Sequence, residues 1–344
     1  MNKPLVEIRD LRMHFKLSSG SFRRKTRVVK AVDDVSFDIL AGETLAVVGE
    51  SGCGKSTITR ALLRIYEPTA GSMVYHHKDG PVDLATLGEA ELAPHRQDIR
   101  LVFQDPQGSL NPRLPVVDII GEVLKVNGLA SGKDLREKVA ELMRRVGLRP
   151  ETMHRYPHAF SGGERQRIGI ARALACNPKL LIADEAVSAL DVSVQAQTIN
   201  LLKDLQAEFG LTYLFVSHDL SVVQHISDRI AVMYVGNLVE IASTDDMFER
   251  PLHPYTEALF SAVPVPDPDL RDASARVRLP GEVADPSNVP SGCPFHPRCR
   301  FATAVCASDK PPLIPKAEGR RAVACHHADD LELAGVFDTL RHTS

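Results

Sequence analysis

Short apolar runs recur along the first three quarters of the chain. Thr44-Leu45-Ala46-Val47-Val48, Leu180-Leu181-Ile182-Ala183 and Leu211-Thr212-Tyr213-Leu214-Phe215-Val216 are the clearest. Unbroken runs of this length predict strands buried on both faces. Between them, apolar positions return at helical spacing. Val194, Leu201, Leu202 and Leu205 share one face, while Gln197, Lys203, Asp204 and Glu208 fall elsewhere. This alternation predicts an α/β domain over residues 1–262, a mostly parallel sheet with helices packed on it. From Asp105 to Phe160 the rhythm changes. Asp118 to Lys125 and Lys133 to Val146 are helix-like with no strand between them, which predicts a helical insertion at about 105–169.

Periodicity stops near Pro264-Val265-Pro266-Asp267-Pro268-Asp269, where proline disfavours regular structure. This segment reads as a boundary. Residues 263–344 then predict a small, loop-rich, metal-stapled appendage without a hydrophobic core of its own. The basic run Arg23-Arg24-Lys25, with Arg27 and Lys30, reads as a solvated loop.

The bulk composition sharpens this picture. At 344 residues, the chain fits one large domain and a smaller one. The net charge of -3 gives no reason to expect nucleic acid as the main partner. No apolar run is long enough to cross a bilayer, and Met1 to Asp10 carries charges where a signal peptide needs apolar residues. A cytosolic location is expected, with any membrane role supplied by a partner.

Chemistry enters at Gly49-Glu50-Ser51-Gly52-Cys53-Gly54-Lys55-Ser56, followed by Thr57. This is a P-loop in its required context, after a buried strand and before a helix. Its glycines let backbone N–H groups curl around phosphate oxygens, and the helix dipole points at the same anion. Lys55 is expected on the β- and γ-phosphates of ATP and the Ser56 hydroxyl on Mg²⁺. About 130 residues later the run ending Ala183-Asp184-Glu185 closes a strand with two carboxylates. Asp184 is expected to hold Mg²⁺ and Glu185 to orient and deprotonate the attacking water. His218 follows another strand, at the end where open α/β sheets bind ligands, and is a candidate γ-phosphate contact. Gln104, after Leu101-Val102-Phe103, is a candidate sensor of Mg²⁺ and water.

Ser161-Gly162-Gly163-Glu164 opens a further helix. It reads as a capping box and also as a second anion cradle at a helix N-terminus. One chain needs only one P-loop. The second cradle therefore predicts a dimer with two ATP molecules held at its interface.

Together these residues resemble the nucleotide-binding domain of ABC transporters, a P-loop NTPase fold with a helical subdomain. The resemblance covers residues 5 to about 262. It makes Gln104 the Q-loop, Ser161 to Gln166 the signature, Asp184-Glu185 the Walker B pair, Ser188-Ala189-Leu190-Asp191 the D-loop, and His218 the switch histidine. It also places Phe15 where an aromatic ring stacks on adenine. A narrower resemblance is to the dipeptide/oligopeptide importer ATPases. It rests on Phe103-Gln104-Asp105-Pro106, Ser109-Leu110-Asn111-Pro112-Arg113, His253-Pro254-Tyr255-Thr256, Ala262-Val263-Pro264 and Ser291-Gly292-Cys293. It implies two permease subunits, a second and often heterologous ATPase subunit, and an extracytoplasmic peptide-binding protein. The chain itself would be peripheral on the cytoplasmic face of the membrane. Two departures stand out. Glu164 occupies a position where the family has Gln, and Ala186 one where the subfamily has Pro.

The tail carries Cys293-x5-Cys299-x6-Cys306-x18-Cys325. The spacing matches neither the usual zinc ribbon nor a standard ferredoxin run. By itself it leaves zinc and iron–sulfur open, with His296, His326 and His327 as alternative zinc ligands. The resemblance implies a [4Fe–4S] cluster. A nickel-chelate or other small-solute importer, and a soluble non-transport ABC ATPase, are the competing functional readings.

Overall fold

A computed structural model describes residues 3–19, 25–105, 108–263, 277–319 and 321–336. The Pro264–Asp269 boundary, Arg23, Arg24 and Pro106 lie outside these residues. In chain order the strands are β1 (Pro4–Ser19), β2 (Lys25–Leu40), β3 (Thr44–Val48), β4 (Ala70–His77), β5 (Gly80–Asp83), β6 (Ile99–Val102), β7 (Leu180–Asp184), β8 (Thr212–Val216), β9 (Arg229–Tyr234), β10 (Asn237–Ser243), β11 (Ile314–Lys316) and β12 (Arg321–Val323). The α-helices are α1 (Lys55–Leu62), α2 (Glu89–Asp98), α3 (Val116–Val126), α4 (Gly132–Arg145), α5 (Gly162–Leu174), α6 (Val192–Phe209), α7 (Leu220–Ile226), α8 (Thr244–Glu249), α9 (Pro254–Phe260) and α10 (Ala304–Ser308).

The chain divides into two compact units. The first comprises Lys3, residues 39–44 and residues 86–217. Within it β6, β7 and β8 pair in parallel, with Leu101 opposite Ile182 and Ile182 opposite Leu214. β7 from Leu180 to Ala183 and all of β8 are buried, as expected of parallel strands covered on both faces. Helices α3, α4 and α5 pack on one another. Leu135, Val139 and Met143 of α4 recur every fourth residue and are buried. Gly121 lets α3 approach closely, because a Cβ there would stand 2.8 Å from a Leu135 methyl.

The second unit holds residues 4–38, 45–85 and the chain from His218 onward. Here β3 pairs in parallel with β9. Antiparallel pairing then adds β10, β12 and β11 in that order. A second sheet, ordered β2-β1-β4-β5, is antiparallel where its register is defined, with Val6 opposite Tyr75 and Ile8 opposite Met73.

Three expectations change. The N-terminal region is not part of a mostly parallel sheet. β1 and β2 are 16-residue strands of a separate sheet. Their apolar residues alternate, Val6 and Ile8 buried with Glu7 and Arg9 between them, so they show no unbroken run. The basic segment from Lys25 is strand rather than loop, although Arg27 and Lys30 are exposed. Finally, the tail does have a core. Cys293, Phe295 and Cys306 join Val48, Tyr234, Phe248, Tyr255 and Phe260 in one buried cluster. Phe295 is 1% exposed, and β12 adds to β10 with Glu240 opposite Val323.

Candidate active site

The P-loop connects β3 to α1 in the second unit. Gly49 and Gly54 have φ of 148° and 108°, which strains any residue with a Cβ. A Cβ at Gly49 would overlap the Met233 carbonyl oxygen, and one at Gly54 the Ala31 carbonyl oxygen. These glycines therefore let the loop lie flush against the ends of neighbouring strands. Gly54 stands immediately before α1, and the Thr57 N–H donates back to its carbonyl at 3.0 Å. Lys55 Nζ donates to the carbonyls of Gly49 at 2.7 Å and Glu50 at 3.1 Å, with Cys53 Sγ at 3.8 Å. The Cys53 thiol is buried, and burial raises its pKa, so it stays a neutral filler of the loop. Ser51 and Gly52 are exposed and Ser56 and Thr57 half-buried. Phe15, on β1, is half-buried with its ring edge-to-face on Tyr66, centroids 5.3 Å apart. His218 lies in this unit just after β8 and is exposed.

The carboxylates lie in the first unit. β7 ends at Asp184, and Glu185 turns the chain with a positive φ of 49°. Its N–H donates to the Val216 carbonyl at 2.9 Å, and its carbonyl accepts from the Ser188 N–H at 3.1 Å and the Ser188 hydroxyl at 2.9 Å. These bonds fix the backbone of residue 185 at the end of the strand. Its Oε2 accepts a 2.7 Å bond from Gln104 Nε2. Two residues 81 apart in sequence thus form one polar pair at the ends of β6 and β7. Asp191 caps α6, accepting from the Val194 N–H at 3.0 Å and the Ser193 hydroxyl at 2.7 Å. The Ser193 bond is the main cause of its lowered pKa.

Ser161 caps α5. The Glu164 N–H reaches Ser161 Oγ at 3.3 Å and the Ser161 N–H reaches Glu164 Oε2 at 2.8 Å. This is a reciprocal capping box, so Glu164 turns its carboxylate back on its own helix start. The two glycines differ. A Cβ on Gly163 would collide with Val194 of α6, whereas one on Gly162 would meet nothing within 4 Å. Gly163→Ala should therefore destabilise the fold by about 1–3 kcal/mol through overpacking. Gly162→Ala should leave the thermal midpoint unchanged, because no described residue stands within 4 Å of the added Cβ, and should lower ATPase activity if a ligand or partner uses that space. Melting curves and steady-state hydrolysis of the two variants check this contrast.

In the tail, Cys293, Cys299, Cys306 and Cys325 line one small cavity, of about 10 Å³, with Phe295, Phe301 and Leu331 among its walls. His296, His326 and His327 also line it, and His327 Nε2 is 3.6 Å from Cys306 Sγ. Burial pushes the Cys293 and Cys325 thiols up to about 11, and the neighbouring cysteines add to it.

Sequence reading did not single out Arg298, Arg300 or Arg321. Arg298 pairs with Glu50 at 2.8 Å, Arg300 with the buried Glu257 at 2.8 Å, and Arg321 with the fully buried Glu240 at 2.9 Å. Only a motif of spacing would have exposed them in the sequence, and none links residues so far apart.

A P-loop after a buried strand and a glutamate locked at a strand end belong to a cassette-type ATPase. A family model described as ABC transporter matches residues 32–188. A model described as the oligopeptide/dipeptide transporter C-terminal region matches residues 239–306, and so takes in three of the four clustered cysteines. The chain is 52% identical to the probable peptide ABC transporter ATP-binding protein y4tS of Sinorhizobium fredii, over 95% of this chain and 90% of that protein. It is 50% identical to the oligopeptide transport ATP-binding protein AppF of Bacillus subtilis, over 94% and 97%. Among solved structures, it resembles the dimeric post-hydrolysis state of the ATP-binding cassette MJ0796 bound to ADP and Pi. The TM-score is 0.60 at 28% identity, over 70% of this chain and 98% of that one. The chain belongs to the ATP-binding subunits of the oligopeptide/dipeptide ABC-transporter family, and its activity is ATP hydrolysis.

Proposed function

We propose that this chain is one of two ATPase subunits that drive uptake of dipeptides or oligopeptides through a membrane permease pair. No helix among the described residues is long and apolar enough to cross a membrane; in this reading separate permease subunits form the path. In this reading Lys55 and the loop amides would hold the triphosphate, Ser56, Asp184 and Gln104 would each serve Mg²⁺, and Phe15 would stack on adenine. Glu185 polarises the attacking water, and His218 steadies the γ-phosphate. The observation that carries the two-subunit reading is Gly162, where a Cβ would meet no described residue within 4 Å. Ser161, Gly162 and Gly163, with Asp191, would serve the nucleotide of the partner subunit. The dimeric state named for the MJ0796 cassette supports this. Peptide cargo is supported by the names of the relatives and by the matched C-terminal region. The test is reconstitution with permeases and a solute-binding protein of the oligopeptide/dipeptide transporter family. Peptides should stimulate hydrolysis. Stimulation by a nickel chelate and not by peptides would overturn the cargo.

In the same reading the four thiols that line one small, largely apolar space would be the donor set of a [4Fe–4S] cluster. Cys293, Cys299, Cys306 and Cys325 would hold it. When bound, the cluster supplies a covalent cross-link for a segment with little regular structure. Anaerobically purified protein should be brown and contain about four irons and four sulfides per chain. Cys306→Ser should lose both colour and iron. A colourless protein with a single zinc would overturn the assignment.

A further inference from the structure

Glu50, the second residue of the P-loop, has every polar group engaged. Its N–H donates to the Tyr255 hydroxyl at 2.9 Å, and its carbonyl accepts from Lys55 Nζ at 3.1 Å. Its carboxylate takes both prongs of the Arg298 guanidinium, at 2.8 Å and 3.2 Å. Arg298 lies 248 residues away in the tail, immediately before Cys299. It is only 8% exposed and is itself fixed by the Pro280 carbonyl at 3.2 Å. Behind it Tyr234, Tyr255 and Phe295 form an aromatic wall with centroids 4.7–5.4 Å apart.

A carboxylate next to a polyphosphate site is unfavourable unless its charge is matched. A bidentate arginine matches it and also fixes its direction. The loop residue that begins the cradle is therefore held in place by the tail, not by the cassette alone. We propose that Arg298 is a positioning residue for nucleotide binding. It neutralises the Glu50 carboxylate beside the phosphate site, which makes the C-terminal region a working part of the ATP site. This rests on the P-loop being the ATP site.

The test is titration of the full-length chain with a fluorescent N-methylanthraniloyl-ATP and Mg²⁺. Arg298→Gln should raise Kd at least about tenfold, equivalent to about 1.4 kcal/mol. Glu50→Gln, which removes the negative charge and keeps Arg298, should lower Kd at least about twofold. The double variant should return to within about threefold of the parent, since the unmatched charge is gone. A parental Kd in Arg298→Gln overturns the proposal, as does a double variant no tighter than the single. If Arg298→Gln does not fold, Glu50→Gln decides alone, and an unchanged or raised Kd there overturns the proposal. Lys55→Ala separates the two layers. Binding that persists in it overturns the ATP assignment itself, whereas binding that needs Lys55 but ignores Arg298 overturns this proposal only.

Discussion

Glu185→Gln is expected to stop ATP turnover while ATP binding persists. The substitution is nearly isosteric, and the backbone that aims residue 185 is fixed independently of the side chain. Its N–H is bonded to Val216 and its carbonyl to Ser188. The positive φ of 49° strains Gln as much as Glu. Gln104 Nε2 can still donate to an amide oxygen at 185, so the polar pair survives. What is lost is the ability to take a proton from water, which is worth roughly 10²–10⁴-fold in rate. The phosphate-binding groups of residues 49–56 are untouched. Steady-state phosphate release should fall to background, while nucleotide titration gives a Kd within about twofold of the parent. Near-normal hydrolysis would remove Glu185 from the catalytic role.

Arg321→Met is expected to produce the largest loss of stability. Glu240 is fully buried in β10, and its carboxylate accepts from the Leu252 and His253 N–H groups at 2.9 Å each. Among the described residues Arg321 of β12 supplies the arginine on it, at 2.9 Å, and also donates to the Arg250 carbonyl at 2.8 Å. Burial holds the Glu240 pKa above the usual carboxylate range even with these partners. Removing one partner of such a pair leaves an uncompensated buried charge and costs roughly 3–5 kcal/mol. The urea midpoint of the full chain should fall accordingly. Glu240→Gln combined with Arg321→Met should recover part of the loss, because an amide oxygen keeps one backbone bond without a charge. A single variant within about 1 kcal/mol of the parent would show that the tail strand is not held by this pair.

The two predictions draw on different kinds of information. Glu185 stands out in the sequence because an apolar strand ending in Asp-Glu follows a P-loop at a suitable distance. Glu240 and Arg321 do not stand out. Each is one charged residue near a short strand, and such residues are far more often solvated than paired. The long β1 and β2 strands were hidden for a similar reason. Their alternating pattern is weaker than an unbroken apolar run, and the basic residues of β2 suggest a loop.

The sequence by itself determined the local chemistry. A P-loop needs closely spaced glycines, a lysine and a hydroxyl, so all of its information lies in one short segment. The same holds for the Ser161-Gly162-Gly163-Glu164 helix start and for a strand's terminal carboxylates. Only the tertiary structure decided what the tail is. It is not a coreless appendage but a contributor to a shared core through Phe295, with Arg298, Arg300 and Arg321 set on Glu50, Glu257 and Glu240. The physical reason is sequence separation. A motif is read where its residues are neighbours along the chain, whereas an ion pair between residues 81 or 248 positions apart exists only after the fold has brought them together.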